Sequence, residues 1–137
     1  MKIPGLRSSY EMVGGIVFFG RMLDKIRIHS QGRLPADYNR GTGFDGRTCR
    51  FLQVDYEKLV SRVLQGGTDE EILEWCYRQG RRPSEEDIFV WNAFMTKRGW
   101  RDDASEWLVE QKRLRGFAHR EDIQTAFDFH RADETEL

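Results

Sequence analysis

The run Pro83-Ser84-Glu85-Glu86-Asp87-Ile88-Phe89-Val90-Trp91-Asn92-Ala93-Phe94-Met95-Thr96-Lys97-Arg98-Gly99 decides how this chain reads as a fold. Ser84 is an N-cap residue, because its hydroxyl can accept a hydrogen bond from a backbone N–H of the first helical turn. Glu85, Glu86 and Asp87 then place negative charge on the positive end of the helix dipole. Beyond them, Ile88, Phe89, Val90, Trp91, Ala93, Phe94 and Met95 leave almost no polar side. A helix that is apolar nearly all round belongs in an interior, so residues 85–98 are expected at the centre of the fold. Gly99 suits a left-handed stop, with Trp100 expected to fold back onto Met95.

The same punctuation recurs on either side. Asp55 caps a helix over 56–65, ended by Gly66-Gly67, with Leu59, Val60, Val63 and Leu64 as its apolar stripe. Thr68 and Glu71 form a capping box for a helix that buries Ile72, Leu73, Trp75 and Cys76 and stops at Gly80. Asp102 or Asp103 opens another to about Arg115, with Ala104, Trp107, Leu108 and Leu114 inward. A last helix over about 120–131 turns Ile123, Ala126 and Phe127 inward, leaving an acidic tail, 132–137, expected to fray. Toward the N-terminus, Gly15–His29 reads as a helix, although Ile16–Phe19 alone would also suit a buried strand. A loop over 32–43 and a short helix from Asp45 to about Gln53 complete the chain. No strong strand alternation is visible. The expectation is an all-α single domain, 1–137, of six or seven short helices around residues 85–98.

Composition narrows the classes. With 39% hydrophobic and 33% charged residues, the chain is globular rather than disordered. Cys49 and Cys76 form no C-x-x-C pair, so a cysteine zinc site or a secreted disulfide framework is not expected. The first residues lack a signal peptide's apolar core, and Gly14–Gly20 is far shorter than a membrane span. A cytoplasmic protein without membrane contact follows. The net charge of −1 hides an asymmetry: +5 over residues 1–52 and −6 over 53–137. Either the two parts neutralise one another on folding, or the first third holds an anion site.

The candidate site follows from that second option. Arg21, Asp24, Lys25 and Ile28 share one helical face. Arg21 and Lys25 are like charges one turn apart, which costs a few tenths of a kcal/mol unless something answers them. Asp24 is expected to pair with Arg21, and Tyr38 and Asp45 could complete an anion pocket from the following loop. The plainer reading is an internal salt bridge. Asn92 needs hydrogen-bond partners in its apolar helix, and would either tie down a neighbouring loop or floor a pocket. The string Gly41-Thr42-Gly43-Phe44-Asp45-Gly46 matches G-x-G-x-x-G but lacks the preceding strand of a dinucleotide site, so it reads as a loop entering a helix. His29, His119 and His130 have no ligand spacing, each reading as a surface or capping residue, and no metal or cofactor is expected. Cys49, beside Arg47 and Arg50, would be acidified if exposed, but no nucleophile motif accompanies it. Trp75, Trp91, Trp100 and Trp107 lie in an acidic stretch and read as core rather than as a nucleic-acid platform.

Gly14-Gly15, the core Arg21-x-x-Asp24-Lys25-x-Arg27, Trp91-Asn92 and Gly99-Trp100 together resemble an uncharacterised bacterial family of small proteins, catalogued only as a domain of unknown function. The resemblance covers nearly the whole chain. It implies a self-contained protein of the bacterial cytosol and brings no activity, cofactor or catalytic residue. The functional expectation is a non-enzymatic binding or interaction module, with a small anionic ligand or a protein as partner. The alternative is an enzyme or sensor for a small phosphate- or carboxylate-bearing metabolite.

Overall fold

The computed structural model describes residues 1–135. Seven helices and one two-stranded hairpin make up the regular structure among them. The hairpin pairs β1 (Met12–Val13) with β2 (Ile16–Val17), antiparallel. Gly14 and Gly15 make its turn with φ of 59° and 79°, the positive values that tight two-residue hairpins demand. The expected helix over 15–29 therefore begins later. Phe18 takes a left-handed conformation, and α1 runs Phe19–Ser30.

Helix α1 is the centre of the molecule. Phe19, Gly20, Arg21, Met22, Leu23, Asp24, Lys25, Ile26 and Ile28 are all buried, which covers every side of it. Around it lie α2 (Phe44–Leu52), α3 (Tyr56–Leu64), α4 (Asp69–Gln79) and α5 (Glu85–Lys97). The expected N-caps are present at Asp55, Thr68 and Ser84, the last two within reciprocal capping boxes. Leu59, Val63, Ile72, Leu73 and Cys76 join Met22, Leu23 and Leu52 in the main core.

Helix α5 is not the central element expected of residues 85–98. It turns Trp91 and Met95 inward and rests on the hairpin, while Phe89, Val90 and Phe94 stay exposed. Its end also differs. Arg98 leaves the helix in an extended conformation, and Gly99 N–H donates to the Asp102 carboxylate instead of closing on a helical carbonyl. Trp100 consequently does not fold onto Met95, and remains exposed beside Lys97 and Arg101.

Helices α6 (Ser105–Leu114) and α7 (Ala126–Thr135) close the fold. On α6 only Leu108 is buried, and Trp107 and Leu114 face solvent, so neither is the core residue expected. Leu108 joins Ile123, Phe129 and Ala132 in a small second cluster. Helix α7 starts six residues later than expected and continues through Thr135. Residues 132–135 of the expected frayed tail are thus helical, with Ala132 buried. The rest of that tail, 136–137, lies outside the described residues.

Candidate functional site

Each buried charge on α1 has its own answer. Asp24 does not pair with Arg21. Its carboxylate accepts from the backbone N–H of Arg7 and from Arg7 Nε, both at 2.9 Å, and from Arg7 Nη2 at 3.0 Å. Arg27 adds a contact at 3.6 Å. Arg7 and Arg27 both reach on to Asp69 at 2.8 Å. Burial pushes the Asp69 carboxyl upward, but the two arginine hydrogen bonds outweigh it and hold the group below the usual range. This network fastens the N-terminal segment and the first turn of α4 to α1, and Asp24 belongs to it.

Arg21 lies 3% exposed, and its partner comes from the far end of the chain. Nη1 and Nη2 donate to Glu134 Oε1 and Oε2, each at 2.6 Å, a bidentate fork of the kind a guanidinium suits. Nη1 also donates to the Arg7 carbonyl, whereas Nε is buried without a partner among the described residues. Tyr38 Oη donates to Glu134 Oε2 at 2.9 Å. Burial and the Glu134 charge push the Tyr38 hydroxyl well up, so it stays a donor at neutral pH. Lys25 Nζ donates to the Asn39 carbonyl at 2.9 Å and sits 2.7 Å from Asp45 Oδ1, an ion pair whose angle is poor for a hydrogen bond. Asp45 Oδ2 accepts from Gly41 N–H. Burial lowers the Lys25 pKa against the pull of Asp45.

Arg21, Lys25 and Tyr38 therefore share the wall of one small pocket with Glu134, about 140 Å³ in volume, while Asp45 holds Lys25 from outside that wall. The two cations are already matched by two carboxylates, and an incoming anion would have to displace Glu134 or Asp45. Asn92 is elsewhere. Its Oδ1 accepts from Val17 N–H at 3.1 Å and its Nδ2 donates to the Gly15 carbonyl at 2.8 Å, so it clips the hairpin to α5.

A larger cleft, about 420 Å³, adjoins this pocket and shares Asn39, Phe44, Trp107 and His130 with it. Its basic side chains are Arg47, Arg50 and Arg98. Gly43, Arg47 and Arg50 fall at i, i+4 and i+7, so α2 presents them on one face along its length. Arg98 is held by Asp103 at 2.5 Å and Asp102 at 3.6 Å. Neither Arg47 nor Arg50 has a carboxylate at ion-pair distance among the described residues. Arg47 lies 5.0 Å over the Phe94 ring, and Arg98 lies 5.5 Å from the same ring centre. Two guanidiniums thus flank one aromatic side chain, and of the pair Arg98 is already matched by Asp103, a carboxylate on the same cleft.

His130 lines both spaces. It is partly buried, not the surface or capping residue expected. Its Nδ1 is 2.8 Å from Ser9 Oγ, and Nε2 has no partner among the described residues. Desolvation, followed by the charges of Arg21 and Lys25, drives its pKa well below the usual histidine value, so the ring is neutral at pH 7. Cys49 is buried, and desolvation raises its thiol to about 12, which removes the reactivity its arginine neighbours suggested. His130, Glu134 and the cleft arginines Arg47 and Arg50 lie outside the site expected from sequence. The signal for His130 and Glu134 was the spacing Phe127, His130, Glu134, which carries one face of α7 past the point where the acidic composition suggested fraying.

Fold and site together define a small, mostly helical domain with internally paired charges on its central helix and an open basic cleft beside them. The chain belongs to the family described as Domain of unknown function (DUF5069), which it matches over residues 3–136. Comparison with curated proteins found no match. Among the described residues, no helix is long and apolar enough to cross a membrane, and no three His, Cys, Asp or Glu side chains cluster as a metal site requires.

Proposed function

We propose that this protein is a non-enzymatic binding module of the bacterial cytoplasm whose ligand is a small molecule bearing a phosphate or carboxylate group. The observation that carries the reading is the pair Arg47 and Arg50, two guanidiniums on one cleft with no carboxylate at ion-pair distance among the described residues. Arg21 and Lys25, by contrast, are buried and each is matched by a carboxylate. The cleft volume suits a small ligand, and Phe44 and Trp107 offer an apolar wall for its body. Two free cysteines support the cytoplasmic assignment, and the family resemblance supports the bacterial one. An enzymatic use of the same cleft has one observation in its favour, the neutral His130 on its wall.

Thermal melts against inorganic phosphate, pyrophosphate, sugar phosphates, nucleotides and citrate test the reading. A ligand at 100 times its Kd adds about 2.7 kcal/mol, a shift of several degrees for a domain of this size. The expected result is a shift with one class of oxyanion, lost in Arg47→Gln/Arg50→Gln and kept in a folded Arg21→Met/Lys25→Met protein. Loss in the second variant alone would place the ligand in the smaller pocket. No shift across the panel would overturn the anion reading.

A further inference from the structure

The exposed residues of α5 are Glu85, Glu86, Phe89, Val90, Ala93, Phe94 and Lys97. Their spacing from Glu86 (i, i+3, i+4, i+7, i+8, i+11) is that of a single helical stripe. Four of the seven are apolar, with Phe89 at 69% and Val90 at 56% exposure. Contiguous apolar surface of this kind marks an interaction site in a soluble protein. The two ends of the stripe carry opposite charge, acidic at the start and basic at Lys97.

We infer that α5 is the self-association face of this protein, pairing antiparallel with α5 of a second copy about a twofold axis near its midpoint. The stripe is complementary to itself in charge, with Glu85 and Glu86 at one end and Lys97 at the other. An axis between positions 91 and 92 sets residue i opposite residue 183 − i of the partner copy. Glu86 then faces Lys97, Phe89 faces Phe94, and Val90 faces Ala93, each pair occurring twice, as an isologous interface requires. The small Ala93 side chain permits close approach at the centre. Antiparallel alignment also sets each helix N-terminus against the other's C-terminus, which the macrodipoles favour. In one copy Lys97 Nζ donates to the Trp100 carbonyl, lies over the Trp100 ring and sits 3.5 Å from Asp102, and its side chain is 47% exposed. It is therefore available to a second acid. A parallel arrangement would stack like charge on like charge at both ends. One helix of 13 residues is about 20 Å long, so the buried area is at the low end for a stable dimer and association depends on concentration.

Sedimentation velocity of the full chain from about 1 to 500 μM, set against the usual range of weak association constants, tests this. The wild type should shift from monomer toward dimer across the range. Phe89→Glu should remain monomeric throughout while keeping its helical circular dichroism, because the side chain lies outside the core. Glu86→Lys and Lys97→Glu should each weaken the dimer at least tenfold. The two together should restore it, since the facing positions then carry opposite charges again with their signs exchanged. A wild type monomeric at every concentration would overturn the inference. So would a dimer indifferent to Phe89→Glu, or one lost in the single charge reversals and not recovered in the double. Arg47 borders this face, against Phe94 and beside Glu86 and Val90, so the sedimentation is run in buffer free of phosphate and carboxylate, and an Arg47→Gln control that still dimerises separates the association from anion binding in the cleft.

Discussion

Helix α1 holds Arg21, Asp24 and Lys25 at 3, 7 and 4% exposure, while α5 leaves Phe89 and Val90 more than half exposed. By composition the two helices should have exchanged places. The difference lies in what surrounds them. Helix α1 is covered by the N-terminal segment through Arg7, by α7 through Glu134, by the preceding loop through Asn39 and by the first turn of α2 through Asp45, and each cover brings a partner for a charge. Helix α5 lies on the hairpin with Phe89 and Val90 on its outer side largely uncovered, and only Phe94 there is partly screened, by Arg47 and Arg98. Polar character does not forbid burial where every charge is met, and apolar character does not guarantee it where no second layer exists.

The largest test of that contrast falls on α1. Asp45→Ala should leave Lys25 charged and buried, costing about 3–5 kcal/mol in urea unfolding. The double variant Lys25→Met/Asp45→Leu should recover most of the loss, because an apolar pair needs no desolvation of charge. A loss under about 1 kcal/mol for Asp45→Ala, the size of an exposed pair, would show that Lys25 reaches water, and the contrast with α5 would weaken. Asn92→Leu comes next. It keeps the volume but strips the partner from Val17 N–H and the Gly15 carbonyl, at a cost of about 1–3 kcal/mol. If α5 were held by its apolar face alone, this change would be neutral.

The smallest effect is a pH slope. His130 is held neutral, with a folded pKa below its unfolded one. Its contribution is present above about pH 6.5, the unfolded histidine value. It is lost as pH falls from there toward the folded pKa, because the unfolded chain then binds the extra proton. His130→Asn should accordingly flatten the decline in stability between about pH 7 and 5 relative to the wild type. An unchanged slope would mean that acidification acts through carboxylates alone.

What could be read from sequence divides along the same line. Ser84, Thr68 with Glu71, and Asp55 marked helix starts correctly, because a cap is satisfied by backbone atoms two or three residues away and needs no tertiary partner. The mostly α class and an expectation of six or seven helices follow from those signals and from the apolar stripes between them, and seven are present among the described residues. Asn92 tying a loop was also legible in kind, since a buried amide must find partners somewhere.

The rest depended on contacts far apart in the chain. Nothing near Arg21 in sequence identifies Glu134, 113 positions away, and without that fork the last helix looks like an acidic tail. Gly14-Gly15 could have turned a hairpin or entered a helix, and the Asn92 bridge to Val17 accompanies the former. The sequence by itself determined the starts of the three side-chain-capped helices, at Asp55, Thr68 and Ser84, and the charge asymmetry between a basic first third and an acidic remainder. Only the tertiary structure decided which cations are answered internally and which, at Arg47 and Arg50, are left facing a cleft. Capping energies act over a few residues, whereas charge pairing in a low-dielectric interior is settled only when distant segments pack.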